Sequence, residues 1–242
     1  MRIDGCVALV TGANRGLGAA FARALVARGA RRVYAGARDP ATVTAPDLHP
    51  VRLDVTAPDQ VAAAAERCAD VTLLVNNAGV LTDSPLLAAP STAGARGEME
   101  VNYFGTLAMC RAFAPVLGRN GGGAIVDVLS VASFVTNPAM GSYAASKAAA
   151  WALTNGVRVE LRGQGTQVVA VHAGYLDTDM AAHVTAAKAN PAAVAAATLD
   201  AVESGADEVL ADDRTRRTKA ALPTDLDTLY PDIQRAWDRR AR

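Results

Sequence analysis

Residues 6–37 read CVALVTGANRGLGAAFARALVARGARRVYAGA, and this stretch decides the fold. Cys6–Val10 is a short unbroken apolar run, the pattern of a strand buried on both faces. A glycine-rich turn follows, with Gly12, Gly16 and Gly18. Next comes an amphipathic stretch with Phe21, Leu25 and Val26 at helical spacing and Gly29 as its stop. Residues 32–37 then form a second strand. The whole is a strand–helix–strand unit of about thirty residues with its glycine turn between strand and helix.

The same alternation runs on through the chain. Strands are predicted at 51–54, 71–76, 124–129, 166–172 and 207–211. Helices are predicted from Thr56 to about Ala69 with Thr56 as cap, within 91–117, over 140–162 and from Pro191. The C-terminal segment reads as a surface helix or a partly ordered tail. Apolar strands alternating with helices predict an α/β doubly wound fold, a parallel sheet of about seven strands with helices on both faces. The 242 residues are 51% hydrophobic and 20% charged, which predicts one domain over 1–242. A net charge of +0 gives no electrostatic case for a nucleic acid or membrane partner. With no long apolar run, a cytoplasmic location is expected. Cys6, Cys68 and Cys110 form no C-x-x-C, and His49, His172 and His183 form no H-x-x-x-H, so no metal is assigned.

The glycine turn lets backbone approach a pyrophosphate at the helix N-terminus, where free N–H groups and the helix dipole favour an anion. Gly12, Asn14, Arg15, Gly16, Leu17 and Gly18 are therefore candidate dinucleotide contacts. A binder of the ribose 2′-hydroxyl would carry an acid at the end of the second strand. This chain has Ala37 there, then Arg38, with Arg15 inside the turn. Two guanidiniums and no carboxylate suit a 2′-phosphate, so NADPH is expected over NADH.

The second chemical signal is SVASFVTNPAMGSYAASK, residues 130–147. Its Ala-rich end is predicted to be helical, which brings Tyr143 and Lys147 to one face at i and i+4. A nearby ammonium lowers a phenol's pKa, making Tyr143 a candidate proton donor or acceptor. The chain has only three lysines, at 147, 188 and 219, against 21 arginines. Lysine at 147 thus points to a need for a compact ammonium. Taken alone, the pair reads equally well as a solvated lysine beside a buried tyrosine.

Together these residues resemble the short-chain dehydrogenase/reductase family in its compact single-domain form, over nearly the whole chain. The matching pieces are TGANRGLG, the pair Asp54-Val55, the run Asn76-Asn77-Ala78-Gly79, Asn102, Ser130 and the Tyr143-x-x-x-Lys147 motif. The resemblance implies that Tyr143 transfers the proton, Ser130 hydrogen-bonds the substrate oxygen, and Lys147 holds the nicotinamide ribose. It implies that Asn102 supports a proton-relaying water. Asp54 and Val55 would pack at the adenine, and Asn76, Ala78, Gly79, Gly174 and Thr178 would line the cofactor cleft. Where the family usually has Pro-Gly after the sixth strand, this chain has Ala173-Gly174, which leaves that loop less restricted.

The activity implied is NADPH-dependent carbonyl reduction, or alcohol oxidation in reverse, on a small molecule of apolar character. Alternatives are a cofactor-binding regulator without turnover and an NAD-dependent alcohol oxidation. Val80, Leu81, Val131, Phe134, Met140, Tyr175, Leu176 and Met180 are expected to line an open, apolar mouth. Helices carrying Met99, Phe104, Leu107, Phe113, Trp151, Leu153 and Val157 are expected to pair copies into a homodimer or homotetramer.

Overall fold

The computed structural model describes residues 1–240. Seven parallel strands form one sheet: β1 (Val7–Thr11), β2 (Arg32–Ala37), β3 (His49–Arg52), β4 (Leu73–Asn76), β5 (Gly123–Val128), β6 (Thr166–His172) and β7 (Glu208–Leu210). Their order is β3-β2-β1-β4-β5-β6-β7. The order reverses between β1 and β4, so the loops leaving these two strands part and open a crevice at the sheet's carboxyl edge. Val7, Ala8, Leu9 and Val10 are fully buried, because helices cover the sheet on both sides.

The helices are α1 (Gly16–Ala27), α2 (Pro58–Arg67), α3 (Ala93–Met99), α4 (Thr106–Arg119), α5 (Gly141–Leu161), α6 (Pro191–Ser204), α7 (Asp213–Ala220), α8 (Asp225–Thr228) and α9 (Tyr230–Arg240). On one face Phe21 and Leu25 of α1 and Val194 and Leu199 of α6 pack on Ala8, Val10, Val75 and Val171. On the other, Val61 of α2, Phe113 and Leu117 of α4 and Val157 of α5 cover Leu9, Leu74, Ile125 and Val168. Among the described residues no helix is long and apolar enough to cross a membrane.

Four local expectations change. Thr56 does not cap α2; its N–H and Oγ1 both donate to Asp54 Oδ1, at 3.0 and 2.7 Å, and α2 starts after Ala57 with Pro58 at its first position. The helix-rich stretch before β5 is α3 and α4 joined through a π-helical segment, Glu100–Gly105. A helix, α7, follows β7 where none was expected. Phe113 and Val157 are core residues, so neither belongs to a pairing surface.

Candidate active site

The glycine turn is shaped by steric need. Gly12 has φ +64°, a conformation other residues rarely take. A Cβ on Gly18 would lie 2.1 Å from the Gly12 carbonyl oxygen, so only glycine lets α1 start this close to the end of β1. Thr11 Oγ1 accepts from the Asn77 and Ala78 N–H groups at 3.0 and 2.9 Å, and Asn77 Nδ2 donates to the Thr11 carbonyl at 2.9 Å. These bonds stitch the ends of β1 and β4 together. The N-terminus of α1 has no side-chain cap and no acidic residue in its first turn. Its open N–H groups and positive dipole end fit the pyrophosphate of a dinucleotide.

At the adenosine end, buried Ala37 closes β2. Asp54 lies beyond the end of β3. Its carboxyl is held below its ordinary range by the Thr56 backbone N–H first, then the Thr56 hydroxyl, with nearby Arg38 adding to the effect. Arg38 is exposed and forms no ion pair among the described residues. Asp39 is spent on its own turn, accepting from the Ala41 N–H at 3.0 Å. Arg15 reaches across to Asp179 at 3.7 Å, with both side chains largely in solvent. A Cβ on Gly16 would meet Thr178 Cγ2 at 3.3 Å, so Thr178 abuts the glycine turn.

The catalytic candidates converge where β5 meets α5. Lys147 Nζ lies 5.9 Å from the Tyr143 ring centroid and donates to the Val128 carbonyl at 2.9 Å. A Cβ on Gly79 would lie 3.1 Å from Asn102 Oδ1 and 3.5 Å from Lys147 Nζ, so these three residues adjoin one another. Ser130 begins the turn after β5, with Oγ accepting from the Ala132 N–H at 3.1 Å. Ser133 is turned inward, its Oγ accepting from the Ser130 N–H at 3.3 Å. That leaves Ser130 as the serine at the phenol.

Burial pushes the Tyr143 phenol up to about 12, with the Ser130 hydroxyl pulling it down and the Glu98 carboxylate adding to the rise. Burial also pushes the Lys147 ammonium down to about 8, against the pull of Asp127. Burial outweighs the pull of the Ser130 hydroxyl on the phenol, and the Lys147 ammonium is turned to the Val128 carbonyl.

Asn102 sits buried in the π-helical segment. Its Nδ2 donates to the Val80 carbonyl and to Ser146 Oγ, both at 2.9 Å, and its Oδ1 accepts from the Val80 N–H at 2.9 Å. The side chain thus fastens the loop leaving β4. Asn76 turns away from the cleft: its Nδ2 donates to Asp127 Oδ1 at 2.9 Å. Thr154 Oγ1 donates to the other Asp127 oxygen at 2.9 Å, forming a buried polar layer beneath Lys147.

The loop after β6 has a tether that sequence reading missed. Asp212 Oδ2 accepts from the Gly174 N–H at 2.6 Å, while Asp212 Oδ1 caps α7 through the Thr215 N–H at 2.8 Å. This bond restrains the Ala173-Gly174 loop in the absence of proline. Behind Ser130, His172 Nδ1 lies 3.2 Å from the Ser130 carbonyl, and its ring stacks on Phe134 at 4.2 Å. Burial lowers the His172 pKa to about 4, so it is neutral and donates from Nδ1. Phe134 and Val131 are buried, whereas Met180 is exposed.

The short chain dehydrogenase family profile matches residues 6–189. A short chain dehydrogenase from Burkholderia cenocepacia J2315, solved in complex with NADP, is 46% identical, with 96% of this chain and 99% of that chain covered at a TM-score of 0.92. A short chain dehydrogenase/reductase from Burkholderia phymatum in complex with NAD is 26% identical over 94% and 96% of the two chains, with a TM-score of 0.84. The short chain dehydrogenase tazN of Aspergillus terreus is 34% identical over 197 residues, which is 74% of this chain but only 43% of that protein. The chain belongs to the short chain dehydrogenase family, oxidoreductases that act on CH–OH and C=O groups with NAD(P).

Proposed function

We propose that this protein is an NADPH-dependent carbonyl reductase, running as an alcohol dehydrogenase in reverse, on ketones, aldehydes or secondary alcohols of apolar character. The observation that carries the reading is the clustering of Lys147 Nζ 5.9 Å from the Tyr143 ring centroid with the Ser130 hydroxyl at the phenol, Lys147 and Asn102 adjoining Gly79. The cofactor supplies the hydride. The Ser130 hydroxyl donates to the substrate oxygen and steadies its developing charge. Tyr143 gives its proton to that oxygen. Lys147 holds the nicotinamide ribose, and Asn102 supports the water that restores the proton through Lys147. Gly174 and Thr178 border the nicotinamide.

NADPH is favoured over NADH because Ala37 presents no carboxylate, Asp39 is committed to its own turn, and exposed Arg38 forms no ion pair among the described residues. Arg15 joins it at little cost, since an exposed pair such as Arg15–Asp179 is weak. The similar Burkholderia cenocepacia protein, solved with NADP, supports this choice. A cytoplasmic homodimer or homotetramer acting on a small molecule completes the reading.

Tyr143→Phe tests the mechanism. General acid catalysis is commonly worth ~10²–10⁴-fold, so turnover should fall by that much while NADPH affinity holds. Substantial retained reduction of a good ketone substrate would mean another group gives the proton.

A further inference from the structure

The register of β6 and β7 pairs Ala170 with Glu208, Val171 with Val209 and His172 with Leu210. The Ala211 N–H continues it by donating to the His172 carbonyl at 2.9 Å. Two residues past the last pair, Gly174 therefore lies beside Asp212. Their contact is direct. Asp212 Oδ2 accepts from the Gly174 N–H at 2.6 Å, and a Cβ on Gly174 would lie 3.1 Å from that oxygen. The other end of the same peptide unit is held as well, because the Ala173 carbonyl accepts from the Val131 N–H at 2.8 Å. Val131 directly follows Ser130, so this one peptide plane is clamped between the serine's turn and the start of α7.

The same side chain closes the first turn of α7. Asp212 Oδ1 accepts from the Thr215 N–H at 2.8 Å and from the Thr215 hydroxyl at 3.0 Å. One oxygen thus caps the helix while the other holds the loop. Resting on the reading that Gly174 borders the nicotinamide, we propose that Asp212 is a positioning residue for the nicotinamide half of the cofactor and couples α7 to cofactor occupancy. Glycine loses more conformational freedom on ordering than any other residue. With Asp212 in place, Gly174 is ordered before the cofactor arrives. Without it, that ordering opposes binding. Coupling of this kind is reciprocal: a bond that favours bound NADPH is itself favoured by NADPH, so occupancy steadies the cap of α7.

Asp212→Ser separates the two bonds. Serine caps a helix about as well as aspartate does, but it offers a single oxygen, which the Thr215 N–H occupies. Dissociation constants are measured by titration calorimetry for NADPH and for 2′-phospho-ADP-ribose, which is NADP without its nicotinamide. In Asp212→Ser the constant for NADPH should rise about tenfold, the scale of one strong hydrogen bond. The constant for 2′-phospho-ADP-ribose and the Tm should stay close to those of the wild type. Equal weakening of both ligands would make Asp212 a purely structural residue, and unchanged NADPH affinity would leave it no role at the cofactor. Either result overturns the assignment.

Hydrogen exchange in the wild type needs no variant and holds even if Asp212→Ser does not fold. Saturating NADPH should slow exchange of the α7 amides several-fold, whereas 2′-phospho-ADP-ribose should leave them unchanged. Identical α7 exchange with and without NADPH would overturn the coupling. Neither measurement needs turnover. A wild type that binds NADPH but reduces no carbonyl compound would therefore defeat the proposed function while both measurements still report on Asp212.

Discussion

Replacing Lys147 by methionine should make the protein more stable while impairing it as an enzyme. Lys147 is 5% exposed, and its ammonium is pushed from 10.5 to about 8, chiefly by burial. One pH unit of displacement corresponds to about 1.36 kcal/mol, so holding this charge at neutral pH costs the fold about 3 kcal/mol. Methionine fills a similar channel with a flexible apolar chain. It leaves the Val128 carbonyl without its donor, a loss of about 1–2 kcal/mol. The net gain at pH 7 is then about 1–2 kcal/mol, or roughly 3–6 °C in Tm for a chain of this size.

The pH dependence of that gain identifies its source. Between about 8 and 10.5 the unfolded chain still holds the lysine proton that the folded chain has released. The unfolded state binds more protons there, so this group makes wild-type stability rise with pH across that window. The advantage of Lys147→Met is therefore fully present below pH 8 and disappears as pH approaches 10.5. Burial raises Cys6 to about 11, Cys68 to about 12 and Cys110 well above the ordinary thiol range. These thiols stay protonated in the fold while they ionise in the unfolded chain, and they lower stability as pH rises. They do so alike in both proteins and cancel in the difference. Denaturant unfolding of the two proteins at a series of pH values from 7 to 10 gives that difference directly. A gap that is constant across the series would show that no buried lysine charge is being relieved.

Lys147→Met should also reduce turnover and weaken NADPH binding, measured by steady-state kinetics and fluorescence titration. Arg38→Ala removes a charge-assisted contact commonly worth ~1.5–3 kcal/mol; NADPH should bind roughly tenfold or more weakly with NADH nearly unaffected, and equal wild-type affinities for the two would refute the assigned role. Phe104 is 48% exposed and lines an apolar groove of about 420 Å³ with Val61, Leu107 and Ala112. Light scattering should find an oligomer at micromolar concentration, and Phe104→Asp should shift it toward monomer if copies pair across that groove.

Much of the fold was legible because strands buried on both faces leave continuous apolar runs, and 6–37 carried a complete strand–turn–helix–strand unit. Helix α7 was not legible for the converse reason. DRTRRTKA has no apolar stripe, and its buried residues are Thr215 and Thr218. The helix exists because Asp212 caps it, and that same aspartate holds Gly174. Thr56 misled because threonine ahead of a helix is an ordinary cap, whereas here the neighbouring Asp54 carboxylate is a stronger partner for it.

The site residues were legible as a pattern but not in their electrostatics. Spacing i and i+4 puts Tyr143 and Lys147 on one face whatever surrounds them, and the sign of their mutual influence depends on depth and on third parties. Lys147 finds the Val128 carbonyl, and Tyr143 finds the Ser130 hydroxyl. Nothing about Glu98 in AGARGEMEVN marks it for burial, since a lone acid on a short helix is normally solvated. Desolvation favours the neutral form of both groups, so the phenol keeps its proton and the ammonium gives its proton up more readily. In the reduction proposed above, that order favours passing a proton from lysine toward tyrosine and on to a substrate oxygen. Alcohol oxidation asks the phenol to ionise against burial, and so should need a pH well above neutral to reach its full rate.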